Sequence, residues 1–272
     1  MITIPGFANK AQLYEYLREN KSLLIKAKKS EMKQADGVNC IIVDINQANG
    51  TVTKALGNPN ILNSDKYSLN VVINATNYLD SHLDVHIPGI WKKSIKEQKD
   101  QSFLQEHIMR FDHVISDSVK AFTQMMSWKD LGYDYPGQCE ALIFAVEAER
   151  KRNEFMAEQY ANGWVRNHSV GMNYVQLFFC MNSESKWDVE EKDNWDKYYP
   201  QIVNQDTADD YGFFWSVTEA KCIEGSAVVR GSCPATPAIS IEPSNDTQEI
   251  KSIEPHDALN CDKLIQAFTH KN

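Results

Sequence analysis

A serine and a histidine stand side by side at the start of the predicted strand NHSVGMNYVQLFF (167–179). Neighbouring side chains of a strand point to opposite faces, so Ser169 shares a face with Gly171 while His168 points away. A serine hydroxyl becomes a nucleophile only when a base accepts its proton. We expect Ser169 to face a pocket in which Gly171 leaves room for a substrate backbone. Its base must come from elsewhere in the chain.

His107 is the first candidate for that base. It lies in SFLQEHIMRF, where a strand would place it on one face with three large apolar residues, Phe103, Met109 and Phe111. An unpaired imidazole is costly to bury on such a face, and a serine hydroxyl from another strand would be a suitable partner. A histidine that only satisfies the core is the alternative. His113, at the turn into the next predicted strand, is the rival base.

A base of this kind needs a group that orients its second ring nitrogen. Glu224 in CIEGSAVV is an acid inside an otherwise apolar predicted strand. It is either an edge-strand carboxylate in water or the group that fixes the histidine tautomer and stabilises the imidazolium. Glu219 lies nearby and is the alternative acid. Backbone N–H groups near Ser169 or Arg230 are candidates for an oxyanion hole.

A second constellation of ligand-type residues occurs in HLDVH. His82 and His86 are four positions apart with Asp84 between them, and they would share a face in a helix or in a strand. Such a set can bind a metal ion. The segment ends in a proline turn and has no third ligand at a characteristic distance, so surface or turn histidines are the commoner outcome. A metal hydrolase is therefore the lesser alternative.

Short predicted strands and a few helices must position these residues. Asn9 caps a predicted helix with Leu13, Leu17 and Leu24 along one side, and further helices are predicted over 87–100 and 152–167. A hairpin is predicted for 38–45 and 51–56. The remaining strands begin with the alternating Leu69, Val71 and Ile73 and include 102–111, 113–126, 139–149 and 212–229. This pattern predicts an α+β fold, mainly an antiparallel β-barrel with surrounding helices.

The composition of the sequence divides the chain into three predicted segments. Residues 1–65 are predicted to form an N-terminal helix and hairpin extension, 66–240 the main domain, and 241–272 a polar, acidic, flexible tail whose apolar cluster is LIQAF. The net charge of −9 comes from 183–210 and from this tail, and both runs are expected to be solvated.

Composition also limits the class of protein. The sequence has no arginine-rich patch of the kind that binds nucleic acids. It also has no apolar run of about 18 residues, the length needed to span a membrane. The N-terminus lacks the pattern of a signal peptide, which predicts a cytoplasmic protein. The six cysteines form no C-x-x-C pair, so we expect idle thiols and no zinc ribbon.

The ordered set FLQEH, NHSVGM, CIEGSAVV and CPATP resembles the prohead maturation proteases of tailed phages, over roughly residues 70–238. That family is distantly similar to the herpesvirus assemblins, which are serine proteases built on a β-barrel ringed by helices. The resemblance makes His107 the base, Ser169 the nucleophile and Glu224 the third member. The chain departs from the family at Ile108, where an aspartate is common, and at Met172, where an aromatic residue is common.

The resemblance implies a serine endopeptidase that acts inside proheads assembling in the bacterial host cytoplasm. Its substrates would be the scaffold protein and extensions of the major capsid protein, with the protease itself as a further candidate substrate. Self-association is a further candidate interaction, and no cofactor is expected. The alternative from another class is a catalytically silent capsid-assembly protein that keeps the fold and binds scaffold.

Overall fold

The structure is a computed structural model that describes residues 4, 6–33, 56–97 and 100–244. Five α-helices lie in this part of the chain: α1 Lys10–Ser30, α2 Lys92–Glu97, α3 Glu154–Ala161, α4 Val189–Tyr198 and α5 Gln205–Tyr211. The strands are β1 Lys66–Ala75, β2 Asp84–His86, β3 Ser102–Gln105, β4 Val114–Ser116, β5 Ser118–Ser127, β6 Gln138–Glu149, β7 Asn167–Met181, β8 Phe213–Val228 and β9 Ala238–Ser244. The predicted hairpin over 38–56 lies outside the described residues, apart from its last position.

The strands form two sheets. The first is antiparallel and has the order β5–β6–β1–β9. In the second, β8 pairs with β7 along one edge in antiparallel fashion, and its other edge carries β2 and then β3 in parallel. β4 pairs with β3 at the outer side. The α+β class is confirmed, but the predicted closed barrel is not, because the strands of the described segments remain two separate sheets.

The two sheets pack against each other through apolar side chains of β1, β6 and β8. Leu69, Val71 and Ile73 of β1 are buried as their alternation predicts. A Cβ added to Gly225 of β8 would lie 2.7 Å from the Phe144 ring and 3.1 Å from Ile73. This glycine therefore allows a close approach of the two sheets. Val72, which alternates with these residues, is also buried, because a second core cluster covers its face of β1.

Helix α1 begins as predicted. The Asn9 side chain accepts a hydrogen bond from the Gln12 N–H, and Leu17 and Leu24 are buried in the main core. Arg18 donates two hydrogen bonds, of 2.5 and 2.8 Å, to the buried carboxylate of Asp188. The acidic segment 183–210 was expected to be a solvated loop. It instead forms α4 and α5, and ion pairs from α1 neutralise part of its charge.

Several predicted boundaries differ from the structure. The helix expected over 87–100 begins only at Lys92, and its described part runs to Glu97. The one over 152–167 ends at Ala161, which leaves Trp164 outside it and 59% exposed. The predicted tail begins at Ile241, but β9 continues to Ser244 with Ile241 buried against β1. No helix of the described segments is long and apolar enough to span a membrane.

Candidate active site

His107 lies in a turn and not in the middle of a strand as the sequence predicted. β3 ends at Gln105, and both Glu106 and His107 have left-handed backbones, with φ of 53° and 58°. Two consecutive non-glycine residues in this region store strain, which is typical of functional sites. The chain then leaves the sheet, so Met109 and Phe111 are exposed and do not share a buried face with His107.

The His107 ring contacts the carboxylate of Glu224. The distance from Nδ1 to Oε1 is 2.5 Å, and both side chains are buried. Ser226 donates a hydrogen bond of 2.7 Å to Oε2 of the same carboxylate. The arrangement suits a carboxylate that accepts from both groups, with His107 donating from Nδ1. In the neutral ring Nε2 is then the nitrogen that can accept a proton, as a general base requires.

Strand pairing places Glu224 and Ser226 on one face of β8. The backbone N–H of His107 donates to the Ser226 hydroxyl at 3.1 Å, which joins the turn after β3 to this face. On the other edge of β8, Ser169 lies opposite Ser226 and Gly171 lies opposite Glu224. Directly opposed residues share a face, with Cβ atoms about 4.5–5.5 Å apart. Ser169 and His107 therefore lie on either side of the Glu224–Ser226 pair.

Gly171 has a different role from the one the sequence suggested. A Cβ at this position would lie 2.0 Å from Oε1 of Glu224 and 2.8 Å from its Cδ. The space over Gly171 is therefore filled by the Glu224 carboxylate and not left open for a substrate backbone. Any larger residue would push against the oxygen that contacts His107.

Ser169 is almost fully buried, with 6% of its surface exposed. Within the described residues its hydroxyl makes no hydrogen bond. It lines a very small cavity of about 10 Å³ together with Lys33, Asn74 and Thr236, which is room for a single water-sized group. The hydroxyl is thus available for a new partner, although access to it is narrow.

His168 lies on the opposite face, as predicted. Its Nδ1 donates to the Thr236 carbonyl at 2.8 Å, and the Tyr160 hydroxyl donates to its Nε2 at 2.9 Å. Burial lowers the pKa of His168 to about 4, although the hydrogen bond to Thr236 opposes this shift. Both ring nitrogens are engaged away from Ser169, so His168 serves the core.

The rival residues have other partners. His113 contacts Asp112 at 3.1 Å in the short helical turn before β4. Glu219 forms an ion pair of 3.1 Å with Lys93 at the surface. Arg230 is exposed just after β8. None of these contacts involves the face that carries Glu224 and Ser226.

The central carboxylate of the alternative metal site, Asp84, is already engaged by other side chains. Asp84 accepts hydrogen bonds from Lys28 at 2.6 Å, Lys33 at 2.7 Å and the Tyr174 hydroxyl at 2.7 Å. His86 is buried against the Asn74 amide, and burial lowers the pKa of this histidine to about 4. The described segments hold no cluster of three metal ligands. Asp84, the carboxylate between the two histidines, is therefore bound by lysine ammonium groups and the Tyr174 hydroxyl.

Sequence reasoning missed the ion cluster that contains Asp84. Lys33 is buried between Asp80 and Asp84, at 2.5 and 2.7 Å, and its backbone pairs with Met172 next to Gly171. Burial alone would lower the pKa of Lys33, but the two carboxylates outweigh it and raise this pKa. Lys33 therefore carries a charge and anchors the end of the α1 segment beside the Ser169 strand. Its partners are 47 and 51 positions away, so no local pattern could have indicated them.

An open groove of about 660 Å³ adjoins the Glu224 side of this face. Glu224 is one of its lining residues, and its apolar lining comes from Leu104, Met109, Phe111, Val114 and Ile223. The turn that carries His107 thus also contributes to the wall of the groove.

Comparisons of the chain with protein-family models, with curated proteins and with solved structures find no match.

Proposed function

We propose that this protein is a serine endopeptidase in which Ser169 is the nucleophile, His107 the general base and Glu224 the group that orients His107. The observation that carries the proposal is the buried contact of 2.5 Å between His107 Nδ1 and Glu224 Oε1, on the strand face that also holds Ser169. A nucleophile, a base and an orienting acid on one face are the requirements of this chemistry.

The reaction is acyl transfer in two halves. Ser169 Oγ attacks the substrate carbonyl while His107 Nε2 takes its proton, and Glu224 stabilises the imidazolium through Nδ1. His107 then returns the proton to the leaving amine, which departs and leaves an acyl-enzyme. Water attacks the ester with His107 again acting as base, and the acid product leaves with Ser169 restored. Ser169 Oγ and His107 Nε2 have to approach each other when substrate binds, because catalytic hydrogen bonds often form only in the substrate complex.

The biological setting of the proposal rests on the order of the three motifs and on their resemblance to phage prohead proteases. It assigns the scaffold protein and extensions of the major capsid protein as substrates, with possible self-cleavage, inside proheads in the bacterial cytoplasm. The two packed sheets would then be the counterpart of the family's β-barrel. A catalytically silent assembly protein is the second candidate, and the buried Ser169 hydroxyl without a partner among the described residues favours it.

A serine-directed fluorophosphonate probe separates the two candidates. We expect the purified protein to gain one probe mass at Ser169, and the Ser169→Ala and His107→Ala variants to gain none. His113→Ala is the matched histidine control and should react normally. His168→Ala is unsuitable as a control, because it breaks two buried hydrogen bonds.

Coexpression with the neighbouring capsid and scaffold genes tests the substrates. Mass spectrometry should find shortened products with the natural sequence and full-length proteins with Ser169→Ala. Absence of labelling together with unprocessed capsid proteins in both cases would support the silent assembly protein.

A further inference from the structure

The outer edge of β7 beside Ser169 is covered by residues from two distant segments. On one side of Ser169, the His168 N–H donates a hydrogen bond of 3.2 Å to the Thr236 carbonyl. On the other side, the backbones of Lys33 and Met172 exchange two hydrogen bonds, of 2.7 and 3.0 Å. An extended peptide that pairs with this edge next to Ser169 must therefore take the place of one of the two segments.

Of these two segments, the one that ends in Lys33 is the easier to displace. Thr236 is 1% exposed and leads into β9, which is paired with β1 along Ala238–Ser244. Lys33 follows the end of α1, and its pairing with β7 is an isolated bridge within the described residues. Moving Thr236 disturbs a sheet, whereas moving Lys33 breaks one backbone pair and the ion pairs of one side chain.

The Lys33 side chain fills an acidic pocket. Its ammonium lies 2.5 Å from the Asp80 carboxylate, 2.7 Å from that of Asp84 and 5.5 Å from the centre of the Tyr174 ring. A basic side chain of a bound peptide would make the same contacts, with opposite charges and an aromatic face. Ions that separate regain their hydration, so a buried ion pair holds a segment less firmly than apolar packing does. The pocket therefore suits a ligand that can leave.

Lys33 also closes the cavity at Ser169. Both residues line the same space of about 10 Å³, which is too small for a peptide group. The pairing of Lys33 with Met172 is antiparallel, so a peptide in its place continues from Met172 toward Ser169. Paired strands advance in step. When the basic residue of the peptide is level with Met172, the third residue after it is level with Ser169.

We propose that the segment ending in Lys33 is an internal ligand that keeps Ser169 closed, and that the place it fills binds an extended substrate peptide carrying a lysine or arginine side chain. Pairing with β7 supplies affinity and the acidic pocket selects the side chain, the usual division when a peptide adds a strand to a sheet edge. The scissile bond lies near the third residue after the basic one. The proposal rests on the proposed protease function for cleavage of the peptide, but not for closure or binding.

Closure is measured in a Ser169→Cys protein, because a thiol at this position reports access without catalysis. The probe is N-ethylmaleimide, and modification of position 169 is followed by peptide mass spectrometry. We expect slow modification, and a rate about 10²-fold higher when Lys33→Ala is added, because loss of a buried ion pair shifts the opening equilibrium by that factor. The rate should not depend on urea below the unfolding transition, since only one segment opens. Lys28→Met is the milder variant, because Lys28 of α1 binds Asp84 at 2.6 Å and is only partly buried; it should raise the rate less.

Leu131→Ala is the matched control for loss of stability. Leu131 is buried in the second core cluster and does not line the Ser169 cavity. Its truncation destabilises the protein as a whole, yet it should leave the modification rate in the absence of urea unchanged. Equal rises in Leu131→Ala and Lys33→Ala would overturn the closure of Ser169 by the internal ligand.

Peptide binding is measured on the protein that carries both Ser169→Cys and Lys33→Ala. An eight-residue peptide with lysine at its third position should protect position 169 from N-ethylmaleimide, and at least about tenfold better than the same peptide with glutamate there. Equal protection would overturn the basic subsite. If the lysine peptide protects but the Lys33→Ala protein with its natural Ser169 does not cleave it, the protease function fails and the binding site stands. If that protein cleaves both peptides at equal rates, the binding site fails and the protease function stands.

Discussion

Gly171→Ala tests the arrangement of the site with the smallest possible change. The added Cβ would lie 2.0 Å from Oε1 of Glu224, whereas ordinary contacts begin near 3.4 Å. The carboxylate must therefore move by about 1.4 Å. Oε1 is also 2.5 Å from His107 Nδ1, so a shift of that size cannot keep this hydrogen bond in its present geometry.

The expected loss of stability follows from two effects. Overpacking in a buried site costs about 1–3 kcal/mol, and a lost hydrogen bond to a charged group costs about 1.5–3 kcal/mol. Glu224 is held by both His107 and Ser226 and has little freedom to relax. We expect Gly171→Ala to lower the free energy of unfolding by about 3–5 kcal/mol, as measured by urea denaturation.

The rate of fluorophosphonate labelling per folded molecule should fall about 10⁴-fold, the loss of rate seen when a serine protease histidine loses its orienting acid. Gly225→Ala is the matched control, because its Cβ would meet Phe144 at 2.7 Å on the other face of β8. It should cost about 1–3 kcal/mol and leave labelling unchanged. If Gly171→Ala has the same free energy of unfolding and the same labelling rate as the unsubstituted protein, the placement of Glu224 over this glycine is refuted. Equal losses of labelling in both variants would show that overpacking of β8, and not the His107 contact, controls reactivity.

The remaining predictions concern pH, the buried ion cluster and the C-terminal strand. Burial lowers the pKa of His168 and His86 to about 4, so as the pH falls the unfolded chain takes up protons on these histidines before the folded protein does. The free energy of unfolding should therefore fall between pH 6.5 and pH 4, by about 3 kcal/mol for each histidine. His86→Gln should remove about half of this loss in urea titrations, and a urea midpoint that does not change with pH would contradict the prediction. Lys33→Met leaves the buried carboxylate of Asp80 without its lysine partner, while Asp84 keeps Lys28, and should cost about 3–5 kcal/mol. The surface variant Lys93→Met should show no measurable change, and equal midpoints would argue against a buried cluster. A chain ending at Ser244 should keep its melting temperature, whereas one four residues shorter loses the buried isoleucine of β9 and about 2–4 kcal/mol; the same melting temperature for both would show that β9 contributes little.

The sequence predicted elements wherever a local pattern sets the structure. The cap at Asn9 and the alternation in β1 depend on neighbouring residues, and both were found. The opposite faces of His168 and Ser169 follow from strand geometry alone. The proximity of His107 and Glu224 came from the order of motifs and not from a pattern in either segment.

The features that the sequence did not predict depend on contacts between residues that are distant along the chain. Phe103 to Phe111 keeps a strand-like alternation through a left-handed turn that has no glycine or proline to mark it, so the turn at His107 was missed. The space over Gly171 was assigned to substrate because a side chain from another strand cannot be seen in the local sequence. Nothing in the sequence around Lys33 distinguishes it from a surface lysine, because Asp80 and Asp84 reach it only in the folded protein.

The distance along the chain between His107 and Glu224 has a consequence for synthesis. The two residues are 117 positions apart and meet only when β8 has paired with β3. At about 5–20 residues per second, the ribosome needs roughly 6–23 s to make the intervening chain. Throughout this interval the nascent protein carries its histidine without the acid that orients it. Under the proposed function, the protease is inert until most of its own chain has been translated, so a growing polypeptide is not exposed to its own activity.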